Sequence, residues 1–446
     1  MKICFIPIDN RPVCYNLAKD ICAIDSSIEL FIPPRDLLGD LTKYAQIDKI
    51  LDWLKNIPKV NNIILSLDTL TYGGLIPSRR SKESFEEIKK RVYNLKEILK
   101  EKDAKIYAFS SIMRISNNNY NEEEKEYWKD YGKKIFEYSF LTHKNKEEYK
   151  DHDIPQEILE DYLQTRNRNF EINKLYLEWQ KEGFIDTLIF SKDDCAEYGF
   201  NVKEAIELEK LGGKTKTGAD EIPLTLLARS IKKEIRVFVE CTEPEHKDKI
   251  SNYEDVSIEK SVSGQLELGG FTQVFDEKQA DLILIVNNFI DKQGELVMDW
   301  DTIPYNKNLN LPKNKPYAIA DVRYANGADN NFVEQLLPQI DLNNFYGYSG
   351  WNTSANTLGS LLSGIKVKYN AEKYNDIAFN QLQIIRFLDD WAYQANVRRN
   401  IDSPCDIKTQ MSEFENTIIN IFEKNSIDEI SYSYPWNRKF EVEIII

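Results

Sequence analysis

Residues 60–67 read Val-Asn-Asn-Ile-Ile-Leu-Ser-Leu, and Asp68-Thr-Leu-Thr-Tyr72-Gly73-Gly74 follows directly. The run is mostly apolar and is β-branched at Val60, Ile63 and Ile64. A strand that is apolar on both faces is typical of a parallel sheet that helices cover on both sides. The stretch therefore predicts a central parallel strand that ends at a polar loop.

Comparable short apolar runs recur along the chain, and most are followed by a helical pattern. They lie at residues 3–8, 28–32, 105–112, 185–190, 235–240, 281–286, 317–320 and 345–348. Alternating strands and helices, with about eight strands, predict a (β/α)8-like barrel. An open, doubly wound α/β arrangement of two lobes is the alternative. The sequence contains no internal repeat that we could find.

Two segments depart from this alternation. Residues 117–181 are charged, aromatic and mostly helical in pattern, which predicts a helical insertion. Arg166 and Arg168 of this insertion either face the site or belong to a solvated helical hairpin. Residues 371–446 predict a helical extension that ends in a short strand, packed on an α/β domain of residues 1–370.

Composition excludes some classes of partner. The chain has 446 residues and a formal net charge of −15, which disfavours nucleic acid and anionic membranes as partners. We found neither a signal peptide nor an apolar run of membrane-spanning length, so a cytoplasmic protein is expected. The six Cys show no CxxC spacing and the three His lie in charged surroundings, so free thiols and no zinc site are expected.

Carboxylates follow several of the predicted strands. The candidate catalytic residues are Asp9, Asp68, Asp193 and Asp194. Adjacent carboxylates can differ in pKa, so that one serves as an acid and one stays charged. They can also bind a divalent ion, and the plainer alternative is that they cap helices or turns.

Further polar and aromatic residues cluster after the same strands and are candidates for substrate binding. Trp351 and Tyr72 suit stacking on a sugar ring, and the amides and guanidinium groups suit hydroxyl, acyl or anionic groups. The full set is Asn10, Arg11, Tyr72, Arg79, Arg114, Asp220, Glu221, Asp321, Arg323, Asn326, Trp351, Asn352 and Asn356. For Asp220, capping of the following helix is the alternative explanation.

Seven motifs together resemble a bacterial family of unknown function, number 4127. They are DNRP, S-x-D-x-x-x-Y-G-G-L-x-x-S-R, KDDCAEYG, GADE, DVRYANGAD, GWNTSANTLG and PWNRKFEV, which run from Asp9 to Phe440. The resemblance implies a shared fold and site and brings no established reaction. A second similarity, limited to the adjacent Asp193 and Asp194, is to barrel hexosaminidases. It implies that Asp193 orients a substrate acetamide and that Asp194 is the general acid.

Three functions remain open at this point. The first is a glycoside hydrolase-like enzyme that acts on a small sugar or amino-sugar conjugate without a cofactor. The second is a hydrolase or lyase in which Asp9, Asp68, Asp193, Asp194 and Asp321 hold Mg²⁺ or Mn²⁺. The third is a sugar-binding protein without catalysis. A small-molecule, carbohydrate partner is expected, and the sequence gives no oligomeric state.

Overall fold

A computed structural model describes residues 1–193, 196–401, 406–422, 427 and 429–446. The chain divides into two compact units. The first consists of Met1–Tyr15 and Glu29–Pro223, and the second of Asn16–Ile28 and Leu224–Ile446. The predicted domain of residues 1–370 spans both units, and the predicted extension lies within the second.

The first unit is built on a parallel sheet flanked by helices. Its strands are β1 (Lys2–Ile6), β2 (Glu29–Phe31), β3 (Asn62–Ser66), β4 (Lys105–Ile112), β5 (Thr187–Lys192) and β6 (Thr215–Thr217). They pair in the order β2-β1-β3-β4-β5-β6, and every neighbouring pair is parallel.

Helices connect these strands. They are α1 (Pro12–Ala23), α2 (Ile47–Asn56), α3 (Leu67–Tyr72), α4 (Leu75–Arg80), α5 (Phe85–Lys100), α6 (Trp128–Asn145), α7 (Gln156–Lys181) and α8 (Phe200–Lys210). Helix α9 (Ile222–Ser230) follows β6, and most of α1 and α9 belongs to the second unit. The segment 117–181 contains α6, α7 and no strand, as the sequence predicted.

Strand β3 is the buried centre of this sheet. All five of its residues are buried, and Ile63, Ile64 and Leu65 are fully so. Each such side chain contributes roughly 1.5–3 kcal/mol of hydrophobic stabilisation. The prediction of a strand covered on both faces is confirmed.

The segment after β3 differs from the loop that the sequence predicted. It forms two short helices, α3 and α4, separated at Gly73 and Gly74. Gly73 ends α3 in the left-handed region, with φ of 92°, which glycine adopts without a steric penalty. The glycine pair thereby turns the chain sharply at the end of the strand.

The second unit contains the remaining strands and helices. The strands are β7 (Arg236–Cys241), β8 (Thr272–Val274), β9 (Leu282–Asn287), β10 (Gly294–Glu295), β11 (Tyr317–Asp321), β12 (Tyr324–Ala325), β13 (Phe345–Ser349), β14 (Ser431–Ser433) and β15 (Glu443–Ile445). The helices are α10 (Ile258–Leu268), α11 (Asn330–Leu336), α12 (Ser354–Asn370), α13 (Asp376–Arg386), a π-helix (Phe387–Val397) and α14 (Ile407–Ile419). The region 245–280 contains α10 and β8.

The main sheet of the second unit has the order β13-β11-β9-β7-β8, again with parallel pairs throughout. Counted from the first strand of each sheet, both units contain the order 2-1-3-4-5. The mixed α/β class with parallel sheets is confirmed. A closed barrel has hydrogen bonds between the two end strands of its sheet, and neither sheet shows such a pair among the described residues. The barrel therefore remains a prediction.

Candidate functional site

Most of the predicted site residues of the first unit lie at the carboxyl edge of its sheet. In a sheet of order 2-1-3-4-5 the winding direction reverses between the first and third strands, and ligands bind outside the carboxyl ends there. In this unit those strands are β1 and β3. The segment Asp9-Asn10-Arg11 follows β1, and Asp68 follows β3.

Arg11 joins two carboxylates that are distant in sequence. Its Nε donates to Oδ2 of Asp9 at 2.9 Å, and its Nη2 donates to Oδ1 of Asp220 at 2.7 Å. The backbone N–H of Arg11 also donates to Oδ1 of Asp9 at 3.0 Å. The three side chains are 12–13% exposed, so the cluster is mostly enclosed and still reaches solvent.

Asp220 differs from an ordinary surface carboxylate. Enclosure by the protein raises its pKa, with a further upward contribution from the charges of Asp9 and Asp193, while Arg11 acts in the opposite direction. Cys14 lies beside it, with Sγ 3.9 Å from Oδ1 of Asp220. One ligand atom from each of Asp9, Cys14 and Asp220 lies within 4.8 Å of the others.

A second group of charges adjoins the first through Asp193. Arg114 donates to Oε1 of Glu124 at 3.1 Å, to Oδ2 of Asp193 at 3.2 Å and to Oε2 of Glu123 at 2.8 Å. Arg79 contacts the same oxygens of Glu124 and Asp193, at 3.3 and 3.6 Å. Two guanidinium groups therefore share these two carboxylates.

Arg79 has unused hydrogen-bonding capacity. The side chain is 1% exposed, and its Nε and Nη2 have no hydrogen-bond partner among the described residues. The contact of Nη2 with Asp193 is an ion pair that is too long for a hydrogen bond. Because buried N–H groups are costly without an acceptor, these two donors call for an acceptor beyond the described residues.

Asp68 is a buried carboxyl at the end of β3. It is 1% exposed, and its Oδ2 accepts from the backbone N–H of Ser111 at 2.8 Å. Burial raises the pKa of Asp68 to about 7. The positive charge of Arg79 acts in the opposite direction and lowers this pKa.

The other predicted residues of this unit have separate environments. Tyr72 is buried beneath the Arg168 guanidinium, 5.4 Å from its ring centroid, so its ring is not open for stacking. Glu221 is fully buried. The backbone of Asn10 accepts from Nε of Arg35 at 2.7 Å. Asp194 lies outside the described residues.

Arg166 and Arg168 brace the helical insertion. Arg166 donates to the carbonyl of Met113 at 2.7 Å and pairs with Glu204. Arg168 donates to the carbonyls of Ser78 and Ser81 at 2.8 and 2.7 Å. Both are buried, which contradicts the interpretation of the insertion as a purely solvated hairpin.

In the second unit, Arg323 is the centre of a buried polar network at the carboxyl ends of β7, β9 and β11. The residue is fully buried and donates to Asn287 Oδ1, Glu243 Oε1 and the carbonyl of Ile303 at 3.1, 3.0 and 3.0 Å. Asp321 accepts from Nδ2 of Asn287 at 2.8 Å. Burial raises the pKa of Asp321 to about 7.

The remaining predicted residues of the second unit surround α12. Trp351 is 3% exposed, so its ring is enclosed as well. Asn326 donates to Glu295, and Asn326 and Asn352 both have positive φ, 61° and 56°. The Oδ1 atom of Asn356 has no hydrogen-bond partner among the described residues.

Several residues of these clusters were not predicted from the sequence. Cys14, Glu123, Glu124, Glu243, Asn287 and Glu254 all contact site residues or neighbouring backbone. Glu254 accepts from the N–H of Ala355 at 2.6 Å, and burial raises its pKa to about 7. The position of Cys14, three residues after Arg11 at the start of α1, is a signal that could have identified it.

The fold and the site together define a two-unit α/β protein with a charged, partly enclosed cluster at the carboxyl edge of its first parallel sheet. The chain belongs to the family described as "Protein of unknown function (DUF4127)", whose profile matches residues 3–445. Comparison with curated proteins and with solved structures found no significant match. In the described part of the chain, no helix has the length and apolarity needed to cross a bilayer.

Proposed function

We propose that this protein is a glycoside hydrolase-like enzyme that acts on a small sugar or amino-sugar conjugate at the carboxyl edge of the first sheet. The observation that carries the proposal is the pair Asp9 and Asp220. A carboxyl oxygen of each lies within 4.8 Å of the other, and both side chains reach solvent. Two neighbouring carboxyl groups in different protonation states are what glycoside hydrolysis requires.

Asp220 is assigned as the general acid and Asp9 as the carboxylate. Enclosure shifts the pKa of Asp220 upward, which favours the protonated form that a general acid requires. Asp9 is ion-paired with Arg11 and faces the same space. A separation below 4.8 Å is closer to the roughly 5–5.5 Å of retaining enzymes than to the roughly 6.5–9.5 Å of inverting ones. Retention of anomeric configuration is therefore expected.

The charge balance of the edge supports a neutral or basic substrate. Five carboxyl groups adjoin three guanidinium groups at this edge. The carboxyl groups are those of Asp9, Asp193, Asp220, Glu123 and Glu124, and the guanidinium groups are those of Arg11, Arg79 and Arg114. This excess of carboxyls repels an anionic ligand and attracts an ammonium group. The unused donors of Arg79 suit a neutral hydroxyl or acyl oxygen.

Turnover of 4-nitrophenyl glycosides, in a panel of glucosaminide, N-acetylglucosaminide, glucoside and galactoside, tests the proposal. The Asp220→Asn and Asp9→Asn variants are each expected to lose about 10²–10⁴-fold in kcat. Asp52→Asn, at an exposed helical position, is the matched control. Asp193→Asn and Asp194→Asn test the pair favoured by the sequence. If the wild-type chain binds a sugar but hydrolyses none of these glycosides, the proposal of catalysis is wrong and the protein is a sugar-binding protein.

A metal-dependent hydrolase is the second candidate, because the ligand atoms of Asp9, Cys14 and Asp220 converge. The thiol in this set suits Zn²⁺ better than the Mg²⁺ or Mn²⁺ expected from carboxylates alone. Arg11 contacts both carboxylates and already supplies positive charge, so it would have to withdraw. A rise in Tm with added Zn²⁺ that EDTA reverses and Cys14→Ser abolishes would favour this candidate over the first.

A further inference from the structure

A groove of about 570 Å³ lies in the first unit between the end of α4, residues 121–127 and the first turns of α7. Its lining includes Arg80, Tyr127, Ile158 and Asp161. The volume falls within the roughly 300–1,000 Å³ of small-molecule sites. The helical insertion therefore contributes one wall of a cavity large enough for a ligand.

Glu124 connects this groove to the carboxyl-edge cluster. It lines the groove, and its Oε1 accepts from Arg114 and contacts Arg79. Asp193 links these arginines to the proposed catalytic carboxyls, because it contacts Arg79 and Arg114 and its charge acts on the pKa of Asp220. The side chains of Glu124, Arg114 and Asp193 thus lie in series between the groove and Asp220.

Several of the polar side chains that line the groove are held by hydrogen bonds. Lys125 donates to Oδ2 of Asp161 at 2.6 Å and to Oγ1 of Thr165 at 2.7 Å. Tyr127 donates from its hydroxyl to the same oxygen of Asp161 at 2.9 Å. Arg80 donates to the carbonyls of Glu124 and Asn121 at 2.9 and 3.0 Å. These bonds fix the positions of Lys125, Tyr127 and Arg80 along the groove.

We infer that this groove is a saccharide-binding subsite adjacent to the carboxyl-edge cluster. Its fixed hydroxyl, carboxylate and ammonium groups suit a neutral ligand rich in hydroxyls. Tyr127 and Ile158 provide apolar surface for the C–H face of a sugar ring. Four acidic residues against three basic ones in the lining disfavour a phosphorylated or carboxylated ligand. The inference rests on the proposed function for its choice of substrate, and its test is a binding measurement.

The matched variants are Glu157→Trp and Glu160→Trp. Both residues are exposed and lie on α7, and Glu157 lines the groove whereas Glu160 is not among its lining residues. Calorimetric titration with N-acetylglucosamine, cellobiose and methyl glucoside is expected to show at least tenfold weaker binding for Glu157→Trp and unchanged binding for Glu160→Trp. Ile158→Trp, which fills the groove from the next position, should reproduce the loss, and melting curves verify that each variant folds.

Titrating the Asp220→Asn background separates this inference from the proposed function. Saccharide binding that persists there, and is lost on adding Glu157→Trp, supports the subsite whether or not the protein hydrolyses glycosides. Equal binding by the Glu157 and Glu160 variants, or binding of none of the three sugars by the wild-type chain, would overturn it. Hydrolysis of aryl glycosides at the wild-type rate by Glu157→Trp, with saccharide affinity also unchanged, would leave the catalytic site standing without this subsite.

Discussion

Arg11 and Asp220 are separated by 209 positions in sequence, and their side chains meet with Nη2 2.7 Å from Oδ1. The same nitrogen lies 2.8 Å from Oδ2 of Asp9. One guanidinium therefore bridges the carboxyl groups of two residues that follow different strands of the first sheet. The arrangement keeps like charges together in a mostly enclosed place, where their repulsion is otherwise costly.

Arg11→Ala removes this shared cation. We expect a loss of roughly 3 kcal/mol in the free energy of unfolding, because Asp9 and Asp220 stay enclosed without their partner. Urea denaturation measures the change. Lys100→Ala, which breaks an exposed pair with Glu97, is the control and should cost less than about 1 kcal/mol. Equal urea midpoints for the two variants would contradict the neutralising role of Arg11.

The pH dependence of stability in the Asp68→Asn variant tests whether the buried carboxyl of Asp68 has a raised pKa. Because burial raises the folded-state pKa of Asp68 from 3.8 to about 7, its protonated form contributes stability that is complete below about pH 4 and is lost as pH rises through about 7. Asn keeps an acceptor for the N–H of Ser111 and does not titrate. The Tm of the variant relative to wild type should therefore rise between about pH 4 and pH 8. A Tm difference that does not vary with pH would show that Asp68 is already ionised.

Gly218→Ala and Gly212→Ala form a matched pair. Both glycines have positive φ, 102° and 94°, so alanine is strained at either position. A Cβ at Gly212 meets open space, whereas a Cβ at Gly218 collides with the carboxylate of Glu221. Gly218→Ala is expected to lower the stability by about 1–3 kcal/mol more than Gly212→Ala. Calorimetric melting of the two variants measures the difference, and identical Tm values would mean that Glu221 moves aside freely.

Arg323→Lys tests the network of the second unit. Lysine keeps the charge but cannot reproduce the planar set of donors that reaches Asn287, Glu243 and Ile303. A loss of roughly 2–4 kcal/mol is expected, because buried acceptors lose their hydrogen bonds. Arg399→Lys, at a half-exposed pair with Asp299, is the control and should change little. Stability equal to wild type in Arg323→Lys would point away from a bracing role for Arg323.

Local patterns in the sequence determined the elements near the first strands. The apolar run at 60–67 predicted β3, because a strand that is covered on both faces consists mostly of apolar residues. Pro12 is the first residue of α1, a position that suits the fixed φ of proline. The parallel α/β class followed from the alternation of such runs with helical patterns.

Tertiary structure alone decided which strands pair and which charges meet. The two sheets share the order 2-1-3-4-5 although their sequences show no repeat, because strand order depends on the direction of each crossover, which leaves no periodic trace. Likewise, the sequence placed Arg11 after a β-like run and Asp220 before a helix, but their contact required β1 and the segment after β6 to share one sheet edge. Burial then raised the pKa of both Asp68 and Asp220, and burial is a property of the packed chain that no single residue type carries.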